Sequence, residues 1–434
     1  MKSRILIVCV LVALLTAVVT VGCTPAAETP GGDEIGTVSV MGVWGETEIA
    51  SFEQVVDGWE TDTGGTMNFE GTRDLSAILR ARVAGDNPPD IAVLPNPALM
   101  TEFATSGNLV ALDDLLDMDQ LRADYTQPWI DLGSVDGSVY GVFVKAATKS
   151  TVWYDPKTFT DGSYAAPTTY AELLALANKM KADGLTPWSL GLESGGASGW
   201  PGTDWIQEIM LSQSGPEVYD KWVSHEIPWT DPAVKAAFET FGELVLTEGN
   251  VVGGKQSMLS TPFQDASYLP FEDPPRAGMF FLGSFVQGFL AGQFPDQAPE
   301  TDYDFFKFPP VDPAFAGSAT GGADIVVVFN DTPSVRSLLQ YLATGDSWEP
   351  WAKAGGFTTP NTSLDPAVYP DPLALKAAAQ LTESKVFRYD ADDLMPAELQ
   401  TAYFAGILDY VDNPANLDAI LAKIETAAAS AYAN

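Results

Sequence analysis

Between positions 37 and 94 the sequence alternates short β-rich runs with helical ones, and this alternation restricts the fold more than any other feature of the chain. Residues 37–43 (TVSVMGV) read as a strand. Over about 49–62, Phe52, Val55, Val56 and Trp59 recur every three or four positions, which puts them on one helical face. Gly64-Gly65 ends that helix, and 66–69 reads as a second strand. Asp74 can cap a helix in which Leu75, Ile78, Leu79 and Val83 keep the 3.6-residue period. Pro88-Pro89 breaks it, and 91–94 forms a third strand. Strands joined by single helices through short links predict a parallel, helix-covered sheet, so the class is α/β.

The pattern continues less regularly. Strands are expected at 139–144 and 151–154, bracketing KAATKS, and at 188–192, 279–282 and 325–329. Thr169-Tyr-Ala-Glu172 is a capping box opening a helix that Gly184 ends. Further helices are expected at 203–214, 232–247 and 333–343, and the last 60 or so residues read as mostly helical. A chain of 434 residues exceeds what one core usually serves, so two lobes, each with its own sheet, are expected. No repeat of fixed period occurs, which removes solenoids and propellers.

The first residues read as a targeting segment. Lys2 and Arg4 precede an uncharged run over 5–22, and Thr20-Val21-Gly22-Cys23 resembles a bacterial lipobox, in which Cys23 carries the lipid after cleavage. An uncleaved anchor is the alternative, since the run approaches the length of a spanning helix. Cys9 would leave with the signal, so no disulfide framework is possible in the mature chain. Residues 24–36 (TPAAETPGGDEIG) have no apolar periodicity and read as a flexible tether.

Charge and rare residues exclude much else. A net charge of −36 repels nucleic-acid phosphates and anionic lipid headgroups. One His and two Cys cannot build a Cys/His zinc site, and no EF-hand run is present, so no metal or cofactor is expected. The stretch from Gly249 to Gln256 matches a phosphate-binding loop up to Lys255, but Gln256 replaces the Ser or Thr that would hold magnesium. It reads as a surface turn. His225 has no Ser or Cys motif around it, no GxSxG elbow occurs, and no catalytic residue is expected. The acidic pairs Asp113-Asp114 and Asp392-Asp393 read as solvated surface.

One constellation carries more. Trp44-Gly45-Glu46 follows the first strand, Gly71-Thr72-Arg73-Asp74 the second and Pro95-Asn96-Pro97 the third; Trp200-Pro-Gly-Thr-Asp204-Trp205 lies in a Gly-rich stretch before a helix. In open α/β sheets, ligands gather outside the carboxyl ends of the strands. Aromatic faces cover apolar C–H patches, while Asp, Glu, Asn and Arg pair with hydroxyls. Those two requirements together describe a sugar, although any single Trp here could equally serve packing.

The stretches GTRDLSAILRARVAGDNPPDIAVLPNPALM (71–100), DGSVYGVFVKAATKSTVWYDPKTF (136–159), GMFFLGSF (278–285) and GGFTTPN (355–361) resemble, in this order, the solute-binding proteins of bacterial ABC sugar importers. This is the maltose-binding-like family 1, and GTRDL and LPNPALM are most similar to its α-glucoside binders. The resemblance implies a two-lobed, class II periplasmic-binding-protein-like fold with a hinge and an interlobe cleft. It implies a signal peptide over 1–22, a lipidated tether over 23–36, a first lobe from 37–147 and about 303–347, and a second from 148–302 and about 348–434. A carbohydrate would bind between the lobes of a monomer outside the cell membrane and pass to a membrane permease. Trp44, Glu46, Arg73, Asp74 and Asn96 would line one side; Trp200, Asp204, Trp205, Ser284 and Phe285 would line the other. Lys145 near the crossing and Asp324 on a returning strand complete the implied set. Two rivals stay open on the residues: a secreted glycoside hydrolase with two carboxylates about 5–10 Å apart, and a polyamine receptor whose aromatics box an ammonium.

Overall fold

The computed structural model describes residues 35–433; the lipobox with Cys23, and the signal and tether up to Glu34, lie outside the described residues. The expected alternation is present as β1 (Thr37–Gly42), α1 (Glu46–Thr63), β2 (Thr66–Gly71), α2 (Leu75–Ala84) and β3 (Ile91–Leu94). β1 runs parallel to both neighbours, with Val40 opposite Phe69 on β2 and Ile91 on β3. Helix α1 starts earlier than its apolar period suggests, because Gly45 opens it and donates its N–H to Glu48 Oε2 at 3.3 Å. Its buried face is Phe52, Val55, Val56 and Trp59, each worth about 1.5–3 kcal/mol on burial.

Two sheets organise the described chain. The first has the order Val386–Tyr389, Ser318–Val328, β3, β1, β2, and Gly141–Thr148 also pairs with Ser318–Val328. The second has the order Asp304–Lys307, Thr151–Tyr154, Met279–Phe281, Trp188–Ser189. Separate apolar clusters pack on them: Phe52, Leu79 and Val326 belong to the first, Trp188, Trp205 and Phe238 to the second.

Three segments pack otherwise than the expected lobe boundaries or elements place them. Asp304–Lys307, expected with the first lobe, pairs antiparallel with Thr151–Tyr154, because Phe305 packs against Trp153 at 5.1 Å. Trp348, Trp351 and Phe357, expected with the second lobe, pack into the first core. Val386–Tyr389, read as helical, is an edge strand parallel to Ser318–Gly321.

Where the chain passes between sheets, a single carboxylate gathers the crossing strands. Glu208 Oε2 accepts from Ser150 Oγ at 2.6 Å and from Thr320 Oγ1 at 2.7 Å. Lys149 N–H donates to the Thr320 carbonyl, and Phe308 N–H to the Ser150 carbonyl, both at 2.8 Å. Glu208 is 1% exposed, and burial raises its pKa above the usual range despite those donors.

Candidate functional site

A cleft of about 180 Å³, partly open to solvent, lies between the two sheets. Residues of both lobes line it, as the strand-exit rule for α/β sheets leads one to expect. On the first lobe a β-bulge sets the geometry. Pairing along Ser318–Val328 shifts between Asp324, opposite Lys145, and Ile325, opposite Phe143. Such a bulge re-aims side chains locally, and here Lys145 and Asp324 both face the cleft. The Lys145 ammonium contacts Glu48 Oε1 at 2.5 Å, and Arg73 approaches Glu48 Oε2 at 3.8 Å. Burial pushes the Glu48 carboxyl up, but these two cations outweigh it and hold it below the usual range. Asp324 goes the other way: burial raises it beyond what Lys145 and the Trp44 indole can offset. Trp44 donates its Nε1–H to Asp324 at 2.8 Å, and its ring stacks on Phe69 at 5.6 Å. With 2% exposure, Trp44 orients a carboxylate more than it offers a face.

The second lobe supplies the opposite wall from the helix Trp200–Ser214 and the segment after Val386–Tyr389. Gly199, at φ +110°, turns the chain into that helix; a Cβ there would lie 2.5 Å from the Phe404 carbonyl oxygen. Trp200 and Asp204, one helical turn apart, line the cleft. The Lys149 ammonium sits 3.0 Å from Asp204, 2.9 Å from Asp390 and 5.0 Å from the centre of the Trp200 ring. Asp392 accepts from Gln207 Nε2 at 2.6 Å, and Asp393 from Gln400 Nε2 at 3.3 Å. One ammonium cannot balance four neighbouring carboxyls. Burial, then the charges of Asp390 and its neighbours, pushes Asp392 up to about 7 and Asp393 well above its usual range. Asp204 is likewise raised, with burial outweighing Lys149. Burial opposes the charge of Lys149, yet Asp204, Asp390 and Asp393 raise its pKa. Phe263, Phe285 and Phe289 close the aromatic side, with Trp200 5.0 Å from Phe263 and the Arg73 guanidinium 5.1 Å over the same ring.

Of the residues singled out in the sequence, Trp44, Arg73, Asn96, Lys145, Trp200, Asp204, Phe285 and Asp324 line this cleft. Asn96 also caps the next helix, accepting Leu99 N–H at 2.8 Å. Four residues are placed elsewhere. Trp205 is 0% exposed in the second core, 4.6 Å from Phe281 and 5.0 Å from Trp188, because one residue beyond Asp204 a helix has turned by about 100°. Glu46 is exposed on the first turn of α1, where Glu48 takes the inward position. Ser284 is buried beside the crossing, its N–H donating to the Thr148 carbonyl at 2.8 Å. Asp74 lies on the exposed rim and accepts Gly196 N–H at 2.6 Å.

The Asp392-Asp393 pair, expected at a solvated surface, stands in the cleft wall, and Asp392 is 4% exposed. Glu48, Lys149, Asp390, Gln400 and Phe404 were also not singled out. A signal existed for Asp390: it follows the strand Val386–Tyr389 directly, the same exit position that marks Trp44 and Asn96. The weak motifs have structural explanations. Lys255, expected in a surface turn, lies in the first turn of the short helix Gly254–Ser260 and donates to the Asp412 carbonyl at 2.8 Å, and His225 Nε2 lies 3.2 Å from Glu425 with its ring on Tyr432. Among the described residues, no group of His, Cys, Asp and Glu is arranged to hold a metal ion, and no helix is long and apolar enough to cross a membrane.

Residues 44–347 match the bacterial extracellular solute-binding protein family. The osmoprotective compounds-binding protein GgtB of Synechocystis is 38% identical over 88% of this chain and 90% of its own. The alpha-glucosides-binding periplasmic protein AglE of Rhizobium meliloti is 34% identical over 88% of this chain and 85% of its own. Solved structures agree on the two-lobed fold. The bacterial solute receptor AcbH superposes with a TM-score of 0.80 at 22% identity, covering 92% of this chain and all of that one. The GacH receptor of Streptomyces glaucescens gives 0.75 at 16% identity, covering 92% and 99%. Family match, relatives and cleft agree: the chain belongs to the bacterial extracellular solute-binding proteins, the extracytoplasmic, non-enzymatic receptors of ABC importers that pass a solute to a membrane permease.

Proposed function

We propose that the cleft captures an uncharged carbohydrate, an α-glucoside or other oligosaccharide. The observation that carries this reading is a cleft whose three cations are each paired with a carboxylate, beside aromatic side chains that line it. Lys145 and Arg73 face Glu48, and Lys149 faces Asp204 and Asp390, so the carboxyls and ammonium groups are oriented as hydroxyl partners. Trp200, Phe263 and Phe285 supply apolar surface for the C–H face of a sugar ring. The names of GgtB and AglE, an osmoprotectant binder and an α-glucoside binder, support the same class. A polyamine is disfavoured because Glu48, Asp204 and Asp390 already hold the protein's own cations Arg73, Lys145 and Lys149.

Trp44, Arg73, Asn96, Lys145, Trp200, Asp204, Phe285 and Asp324 are the proposed contacts, joined by Glu48, Lys149, Asp390 and Asp392. The Thr20-Val21-Gly22-Cys23 motif supports lipidation at Cys23, which would tether a monomeric receptor to the membrane that holds its permease. A thermal-shift screen of maltose, trehalose and longer glucans beside spermidine tests the ligand class. A ligand at 100 times its Kd stabilises by about 2.7 kcal/mol, a readily measured shift. Stabilisation by a glucan is expected; stabilisation by spermidine alone overturns the reading.

A further inference from the structure

We propose that Asp74 is a positioning residue: its carboxylate latches the two lobes together at the cleft rim and adds to closure equally for every ligand. Asp74 Oδ1 accepts the Gly196 N–H at 2.6 Å, bridging from the end of the β2 loop to the loop before the helix Trp200–Ser214. The two sides fit closely. A Cβ at Gly196 would lie 2.3 Å from that same oxygen, and one at Gly195 would lie 3.4 Å from Arg73 Cβ. Both positions are glycine, so the loop backbone can lie against the Arg73-Asp74 corner.

The loop is organised for this contact by its own bonds. Ser194 N–H donates to Ser198 Oγ at 2.9 Å, Ser198 Oγ to the Gly195 carbonyl at 2.7 Å, and Gly195 N–H to Glu193 Oε1 at 2.9 Å. Gly196 N–H is therefore presented outward by a loop that need not reorganise. A second contact follows the first across the gap, since Arg73 places its guanidinium 5.1 Å over Phe263.

The other half of the argument is what Asp74 does not do. It stands at the N-cap of α2, the position where an aspartate ordinarily accepts an N–H of the first helical turn, and here its side chain makes no such bond. The carboxylate bonds the opposite lobe rather than its own helix, its backbone standing at φ −92°, ψ 22° instead of the extended form of a capping aspartate. When the lobes part it exchanges Gly196 for water, so the bond belongs to the closed form. A contact made in one form shifts the balance towards that form without touching the ligand. Apparent affinity scales with the fraction of receptor that is closed, whichever solute is inside.

Small-angle scattering on the unliganded protein decides the matter independently of any sugar. Asp74→Ala is expected to raise the radius of gyration above wild type, and Asp74→Asn, which keeps an acceptor oxygen, to restore it. An unchanged radius in Asp74→Ala overturns the latch. Gly196→Ala is expected to raise the radius too, and the double variant Asp74→Ala/Gly196→Ala to do no more than Asp74→Ala alone, because the clash has lost its partner; additive effects overturn the pairing. A calorimetric arm with maltose and trehalose rests on the carbohydrate reading. There Asp74→Ala is expected to weaken both sugars by one common factor of about three to ten. A loss confined to one of the two sugars shows that Asp74 touches the ligand and overturns the latch. If wild type binds neither sugar, the arm is run with the glucan that stabilises it in the thermal-shift screen, and the scattering result stands by itself.

Discussion

The two walls of the cleft are built from the same kinds of side chain in different proportions, two cations beside Glu48 and Asp324 on one and a single cation beside four carboxyls on the other. On the first lobe Lys145 and Arg73 share Glu48. On the second, Lys149 is surrounded by Asp204, Asp390, Asp392 and Asp393. Glu48, Asp204 and Asp392 are largely withdrawn from water, yet the pKa of Glu48 is lowered and those of Asp204, Asp392 and Asp393 are raised. Burial acts in the same direction on both walls, so the cations in contact decide the outcome: Glu48 meets two, and Asp324 on the same wall, bonded to the neutral Trp44 indole, is raised. On the first wall the ion pair favours the charged carboxylate of Glu48; on the second the charged forms of Asp204, Asp392 and Asp393 are disfavoured.

The largest expected effect comes from removing the single cation of the second wall. Lys149→Met should lower the unfolding free energy at pH 7 by about 3–5 kcal/mol, because it leaves buried carboxyls facing one another. Urea denaturation at pH 7 and pH 5 checks this, and most of the loss should be recovered at pH 5 as the acids protonate. If the loss is the same at both values, the two walls do not differ as described. On the first wall Glu48→Gln should cost less, about 1–3 kcal/mol, since Lys145 keeps Asp324 nearby. An equal or larger loss than for Lys149→Met would reverse the comparison.

Trp200→Ala removes an aromatic face without altering either charge balance, and it should weaken sugar binding by about 1–3 kcal/mol in calorimetry while both pH responses persist. The smallest expected effect is a slope. Asp392, pushed up to about 7, binds its proton more tightly folded than unfolded, so its share of stability is present below its unfolded pKa and lost as pH rises towards 7. Glu48, held low, contributes above its unfolded pKa and loses that share as pH falls below it. Stability should therefore fall between pH 5 and 7, and Asp392→Asn should remove about 1.4 kcal/mol per pH unit of that fall at most. An unchanged slope in Asp392→Asn would show that other groups carry it.

How far the sequence discloses this arrangement depends on local signals. β1 to β3 and the helices between them were legible because each apolar stripe is periodic and each link is short. The strand-exit rule then reached Trp44, Arg73 and Asn96, and the aromatic, Gly-rich stretch before a helix reached Trp200 and Asp204. Trp205 was assigned to the same surface, although the helical period separates it from Trp200 and Asp204; reading the 100° step within that helix would have placed it in the core. Asp390 and Asp392 were hidden for a different reason. The strand before them, Val386–Tyr389, is four residues long, borders a helical region and pairs with Ser318–Gly321, a partner far away in sequence. Glu48 escaped notice because Gly45 rather than a Ser, Thr or Asp opens its helix. Lobe membership was blurred where chain order and packing diverge, as at Phe305 and Trp348.

The pairing of Lys145 and Lys149 with carboxylates in the cleft has a consequence for an extracytoplasmic receptor. Groups that neutralise one another across 3 Å hold few mobile counterions, so a neutral guest displaces little besides water when it enters. Capture should then proceed almost equally well in dilute and in briny surroundings, even though the protein's exterior carries a large negative charge.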